Sequence, residues 1–160
     1  PGNIVVKLFV NAYIPGNYIN VEGLRLNYYK QLSSVSSKGA LRGLFLEIKD
    51  RFGRPPIEFL NFFNTLLIKL YCFGVHAVSV IKGEGGLVVV VFDLSGMDCG
   101  FDVFLVLVSR VFGDHGVKYW FKPSKSGCFS LSFDSSGCED ITTFLVGFFD
   151  KLQPVVEHTK

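Results

Sequence analysis

Charge is scarce in this sequence, and the usual signatures of catalysis are missing. Charged residues make up 19% of the 160, below the quarter usual for globular chains. No basic run exceeds two residues, and the net charge is +2. Nucleic-acid binders concentrate Lys and Arg on one face, so direct DNA binding is only a secondary expectation. The four cysteines, at 72, 99, 128 and 138, form no C-x-x-C pair. That removes the usual zinc and redox motifs and leaves an expectation of four reduced, mostly buried thiols. No G-x-x-x-x-G-K-[ST] loop is present, so the chain itself holds no P-loop nucleotide. His76, His115 and His158 are far apart, and no His-x-x-x-His pair exists. A Cys-His dyad could assemble only in space. The longest apolar runs, such as Leu87 to Phe92 and Val103 to Val108, fall far short of the ~20 residues of a spanning helix. No membrane is expected among the partners. There is no signal peptide pattern, and the start Pro1-Gly2-Asn3 suggests a piece of something longer.

What the chain does have is apolar surface. Hydrophobic residues reach 49%, with 17 Phe. Enough can be buried to offset the ordering entropy, and the length fits one folded domain. A chain this apolar either fills its core or hides part of its surface against a partner.

Residues 1–20 read as a strand, Ile4 to Val10, and an irregular lead-in containing Pro15 and Gly16. Residues 21–73 read as helical. Asn20 is a candidate N-cap for a helix whose apolar face is Leu24, Tyr28, Leu32 and Val35. A Ser at 36 or 37 caps a second helix, with Leu41, Leu44, Phe45, Ile48 and Phe52 on one face. Gly53 suits its left-handed end, and Arg54-Pro55-Pro56 forces a break. A third helix follows from about Pro56 to Phe73, apolar nearly all round and hence buried on most sides, with Gly74 ending it.

Residues 75–156 read β-β-α-β-β-α. Val75 to Ile81 and Leu87 to Phe92 flank the turn Lys82-Gly83-Glu84-Gly85-Gly86. A helix spans about Met97 to Phe112. Val117 to Lys122 and Cys128 to Phe133 form a second hairpin, and a last helix runs from about Glu139 to Val156. The fold class is therefore α+β: N-terminal helices with a four-stranded, mostly antiparallel sheet covered by helices on one face. Residues 21–160 are expected to form a single domain.

Few residues suggest chemistry. Gly83, Gly85 and Gly86 lie between two strands rather than between a strand and a helix, which favours a hairpin turn over a phosphate cradle. Asp93, Asp98 and Asp102 lack the EF-hand order and suit capping and dipole compensation. Trp120, beside Tyr119 and Phe121, could stack a base, although an apolar strand favours the core for at least one of its faces. With Lys118, Lys122 and Lys125 it forms the second reading, an accessory nucleic-acid-binding module. Glu47, Asp50 and Arg51 lie opposite the apolar face of the second helix. Glu47 and Arg51, four apart, can pair within it, and the plain reading is a solvated charged face.

Three segments change that weighting: Ala12-Tyr13-Ile14-Pro15-Gly16-Asn17-Tyr18-Ile19, then Leu24-Arg25-Leu26-Asn27-Tyr28-Tyr29-Lys30-Gln31-Leu32, then Asp50-Arg51-Phe52-Gly53-Arg54-Pro55-Pro56. In this order and spacing the chain resembles the C-terminal domain of the bacterial transcription-repair coupling factor family, from about Asn11 to Val91. The resemblance implies a regulatory domain without catalysis, attached to an ATP-dependent DNA translocase whose motor domains hold ATP and magnesium. It implies docking on the parent's UvrB-like N-terminal domain. That contact masks the surface which recruits UvrA, the damage-recognition ATPase, until the protein engages stalled RNA polymerase and double-stranded DNA. The family's E-x-x-D-R-F-G helix carries charged residues of that contact, matching Glu47, Asp50 and Arg51. It also implies a cytoplasmic location. Gly39, Gly43 and Phe45 depart from the Glu- and Lys-rich pattern usual before the motif.

Overall fold

The computed structural model describes residues 3–96, 101–113, 116–125 and 127–157. These form two compact units, one of residues 10–70 and one of the described residues within 1–9 and 71–160.

The first unit begins with the irregular lead-in. It is ordered by backbone bonds from Tyr18 and Ile19 N–H to the Pro15 carbonyl and from Tyr13 N–H to the Glu58 carbonyl. The Ile14 N–H donates to the Tyr29 hydroxyl at 2.6 Å. Helix α1, Glu22–Ser34, follows. Asn20 is not its cap: Val21 holds that position, with no side-chain bond to the helix. Asn20 falls one residue too early, and the lead-in is tied by Arg25 instead, whose guanidinium donates to the Ile19 carbonyl at 2.8 Å. Tyr28 and Leu32 are buried as the periodicity requires, whereas Val35 lies just beyond the helix end.

Helix α2, Lys38–Phe52, starts at Ser37, whose hydroxyl accepts from the Ala40 N–H at 3.2 Å. It ends at Gly53, whose N–H reaches the Lys49 carbonyl at 2.8 Å. Gly53 has φ 89° and ψ −162°, an extended positive-φ region rather than the left-handed helical well, and nearly exclusive to glycine. Helix α3, Ile57–Val75, begins one residue after Pro56, whose carbonyl accepts from Phe59 and Leu60. Only Ile57, Lys69 and Phe73 of this helix are exposed. The helix runs through Gly74. It stops where His76 takes φ 62°, a region His tolerates better than most residues. Gly74 serves packing instead, since a Cβ there would sit 3.1 Å from the Gln153 amide. Within the first unit, stacked Phe45 and Phe63 (centroids 4.3 Å apart), Phe59 and Tyr18 make an aromatic core.

The second unit holds a sheet of five strands, β1 Val5–Lys7, β2 Ala77–Lys82, β3 Leu87–Asp93, β4 Tyr119–Pro123 and β5 Cys128–Asp134, in the order β1-β2-β3-β5-β4. Both expected hairpins form and the sheet is mostly antiparallel. The expected count of four strands is corrected to five, because β1 adds to β2 in parallel. Unpaired backbone groups on an edge favour such an addition. The first hairpin turns through a short 3-10 segment, Glu84–Gly86, and Gly85 and Gly86 supply its positive φ. Alternate residues Val88, Val90, Phe92, Phe129, Leu131 and Phe133 are fully or nearly fully buried. Two helices cover this face: α4, described over Phe101–Phe112, and α5, Ile141–Glu157. Phe104 of α4 meets Phe92 and Phe129, each at 4.9 Å, and Phe144 of α5 meets Phe133 at 5.4 Å. The expected start of α4 near Met97 lies outside the described residues.

Candidate functional site

Helix α2 presents two faces. Leu41 and Ile48 are fully buried, and Leu44, Phe45 and Phe52 partly so. The opposite face carries Gly43, Leu46, Glu47, Asp50 and Arg51, all exposed. Their spacing of three and four places them on one surface strip. The helix is held at both ends, by the Ser37 cap and the Gly53 turn, so these side chains project from a firm base.

Among the described residues the Glu47 and Asp50 carboxylates have no hydrogen-bond or ion-pair partner. The expected Glu47–Arg51 pair is not formed. Arg51 instead donates to the Tyr28 hydroxyl of α1 at 3.2 Å and sits over the Phe52 ring at 5.2 Å from its centroid. A guanidinium gains from an aromatic face and a fixed acceptor together, whereas a solvated i,i+4 pair contributes only a few tenths of a kcal/mol. The three charged positions therefore divide into two free carboxylates and one cation engaged within its own unit. Sequence reasoning also missed Leu46, 54% exposed, at the centre of this strip. Its only signal was an apolar residue out of phase with the buried face.

Other candidates resolve by geometry. Cys72, His76 and Asp93 all line a hollow of about 360 Å³. Burial pushes the Cys72 thiol up to about 12, against a weaker lowering by its backbone hydrogen bond. A thiol so protonated is no nucleophile near neutrality. Asp93 is held below the usual carboxylate range, mainly by the Ser95 hydroxyl and N–H. It serves a turn after β3 rather than a helix cap. Asp102 lies in the first turn of α4, while Asp98, His115, His158 and Cys99 are outside the described residues. Cys72 is buried, but Cys128 and Cys138 are only half-buried, a partial correction to the expected buried set. Burial raises Asp140, but hydrogen bonds from Thr143 and Thr142 outweigh it and hold the carboxyl below its ordinary value, as befits the residue preceding α5. No group of three or more His, Cys, Asp or Glu suited to a metal occurs among the described residues. None of their helices is long and apolar enough to cross a membrane.

Around the second hairpin, Tyr119 and Phe121 are half-buried; Tyr119 stacks on Phe112 at 5.0 Å. Trp120 turns the other way and is 48% exposed, so one face of this strand meets the core and the other displays the indole. Lys118, Lys122 and Lys125 are exposed.

Comparisons agree with this architecture. A solved crystal structure of a "C-terminal domain of transcription-repair coupling factor" superposes with a TM-score of 0.82 at 22% identity, covering 99% of this chain and 97% of that one. The transcription-repair-coupling factor of Rickettsia prowazekii is 30% identical over 105 residues, which is 66% of this chain and 9% of that protein. That of Staphylococcus epidermidis is 34% identical over 84 residues, 52% of this chain and 7% of that protein. The chain thus spans less than a tenth of the length of these relatives. The family model for the TRCF domain matches residues 8–98, more than half of the chain, and the chain belongs to that family.

Proposed function

We propose that this chain is a regulatory, non-catalytic domain of a transcription-coupled DNA repair translocase. It docks through the exposed strip of α2 on the UvrB-like N-terminal domain of its own longer protein. The docked state masks the UvrA-binding surface, and engagement of stalled RNA polymerase and double-stranded DNA releases it. Nucleotide and magnesium are handled by motor domains elsewhere in that cytoplasmic protein. The observation that carries the reading is the pair of unpartnered carboxylates, Glu47 and Asp50, flanking exposed Leu46 on a helix fixed at both ends. A cationic partner surface around an apolar contact would complement it. Rim charges chiefly give specificity and on-rate, which suits a contact that must be released. Arg51 is a positioning residue in this scheme, joining α2 to Tyr28 of α1.

Calorimetric titration of the chain against the parent's N-terminal domain tests the reading. The expectation is binding that a Glu47→Lys/Asp50→Lys double reversal weakens at least tenfold. Arg51→Glu should lower thermal stability together with affinity. Binding unaffected by the double reversal would move the interface off α2.

A further inference from the structure

The face of the sheet turned away from α4 and α5 carries a second surface, made of other residues than the α2 strip. The strand register aligns two complete rows across all five strands on this face: Lys7, Ile81, Val89, Ser132 and Trp120, and beside it Val5, Ser79, Val91, Ser130 and Lys122. Along β4 and the residue before it, Lys118, Trp120 and Lys122 alternate with the inward Tyr119 and Phe121. All three therefore share this face, each about 7 Å from the next along the strand. Trp120 is the most exposed large hydrophobic side chain of the described strands, at 48%. The side-chain ammonium groups of Lys7, Lys118 and Lys122 have no hydrogen-bond or ion-pair partner among the described residues. Asp93 and Asp134 are the acidic residues of this face; Asp93 lies at the far end of β3 with its carboxylate bonded to Ser95, and Asp134 is the acidic neighbour of Lys118. Its N–H bonds the Lys118 carbonyl at 3.1 Å, and its carboxylate accepts from the Ser136 N–H at 2.9 Å. It offsets part of the Lys118 charge and leaves Lys7 at one edge of the sheet, Lys122 at the other, and Lys125 in the adjacent turn.

We propose that this face binds single-stranded nucleic acid, with the exposed Trp120 indole as the stacking platform beside the buried Ser132, and Lys118, Lys122 and Lys7 meeting the phosphates. Every base has a π-face, so one exposed indole flanked by ammonium groups is a sequence-tolerant receptor. Sheets that display aromatic side chains bind single-stranded RNA in this way. A packed protein helix is the other possible occupant. It would prefer a continuous apolar row, whereas here serines interrupt the valines and cations stand at both edges.

The chain has one tryptophan, so its emission reports this site alone. Titration of the 160-residue chain with a twelve-residue oligothymidylate should quench that emission saturably. With about three phosphates neutralised, the log affinity should fall with a slope of about −2 against log salt, roughly 15- to 20-fold between 50 and 200 mM. Followed by anisotropy of a labelled oligonucleotide, Lys118→Gln/Lys122→Gln and Trp120→Ala should each lose most of the binding, and Lys69→Gln on α3 should lose none. An absent or salt-independent titration would overturn the proposal. So would equal weakening by Lys69→Gln, or equal competition by polyglutamate, since either would make the binding a diffuse response to any polyanion. Quenching by a partner protein in the absence of oligonucleotide binding would assign the face to protein instead.

Discussion

Single residues here are placed by what surrounds them rather than by their type. Cys72 is fully buried at the end of α3, and its thiol is pushed from an ordinary 9.0 up to about 12. The unfolded thiol therefore loses its proton first as pH rises. Its contribution to stability is complete below about pH 9 and is lost between about 9 and 12, at up to ~1.4 kcal/mol per pH unit. Urea unfolding from pH 8 to 10.5 should show this fall for the native chain, and Cys72→Ala should remove that part of the slope. A slope unchanged by the substitution would mean the thiol is solvated in the native state. Arg51 teaches the same lesson from the other direction. Its helical position allows a bond to Glu47, but the Tyr28 hydroxyl and the Phe52 ring are better partners. No periodicity within α2 could announce them, because Tyr28 lies on another helix. Gly53 was legible as a stop, since a helix ending before Arg54-Pro55-Pro56 needs a positive-φ residue. Its actual well was not, because ψ depends on the path the chain takes next.

At the scale of elements, α2 is weaker than its role requires. Gly39 and Gly43 lie in the helix with nothing within 4 Å of where a Cβ would stand. Glycine in a helix interior costs about 1 kcal/mol relative to alanine. Gly43→Ala should therefore stabilise the chain by roughly that amount, seen as a higher urea midpoint with an unchanged slope. A loss of stability would show that the exposed side of α2 is less open than described. The remaining elements were legible where period and punctuation agree. The two hairpins follow from alternating apolar runs around glycine turns, and α5 buries Ile141, Leu145, Phe148, Phe149 and Leu152, as the helical spacing demands. The failures fall at ends. Gly74 reads as a terminator, yet it sits under the Gln153 side chain and the helix continues to Val75, with the turn at His76. Strand β1 has only three residues, too few to declare its partner.

At the scale of the whole molecule, the proposed docking predicts a phenotype in the longer protein. Glu47→Lys/Asp50→Lys should raise basal ATPase several-fold and expose UvrA binding without polymerase. A closed-to-open shift of 1.4 kcal/mol already changes the ratio tenfold. Unchanged ATPase and UvrA binding in a variant that folds normally would sink the autoinhibitory role.

The sequence by itself determined the family, the α+β class, most element positions and the charged strip of α2. Each of these is written in local order: motif spacing, a period of two or 3.6, and glycine and proline at fixed offsets. Tertiary structure alone decided that β1 joins the sheet, that Arg51 serves Tyr28, and that Trp120 looks outward beside Lys118 and Lys122. These outcomes turn on partners 15 or more residues distant in the chain, or on which face of a sheet the helices cover. Local sequence leaves such choices open, because the free energy that settles them comes from burial and pairing across the fold.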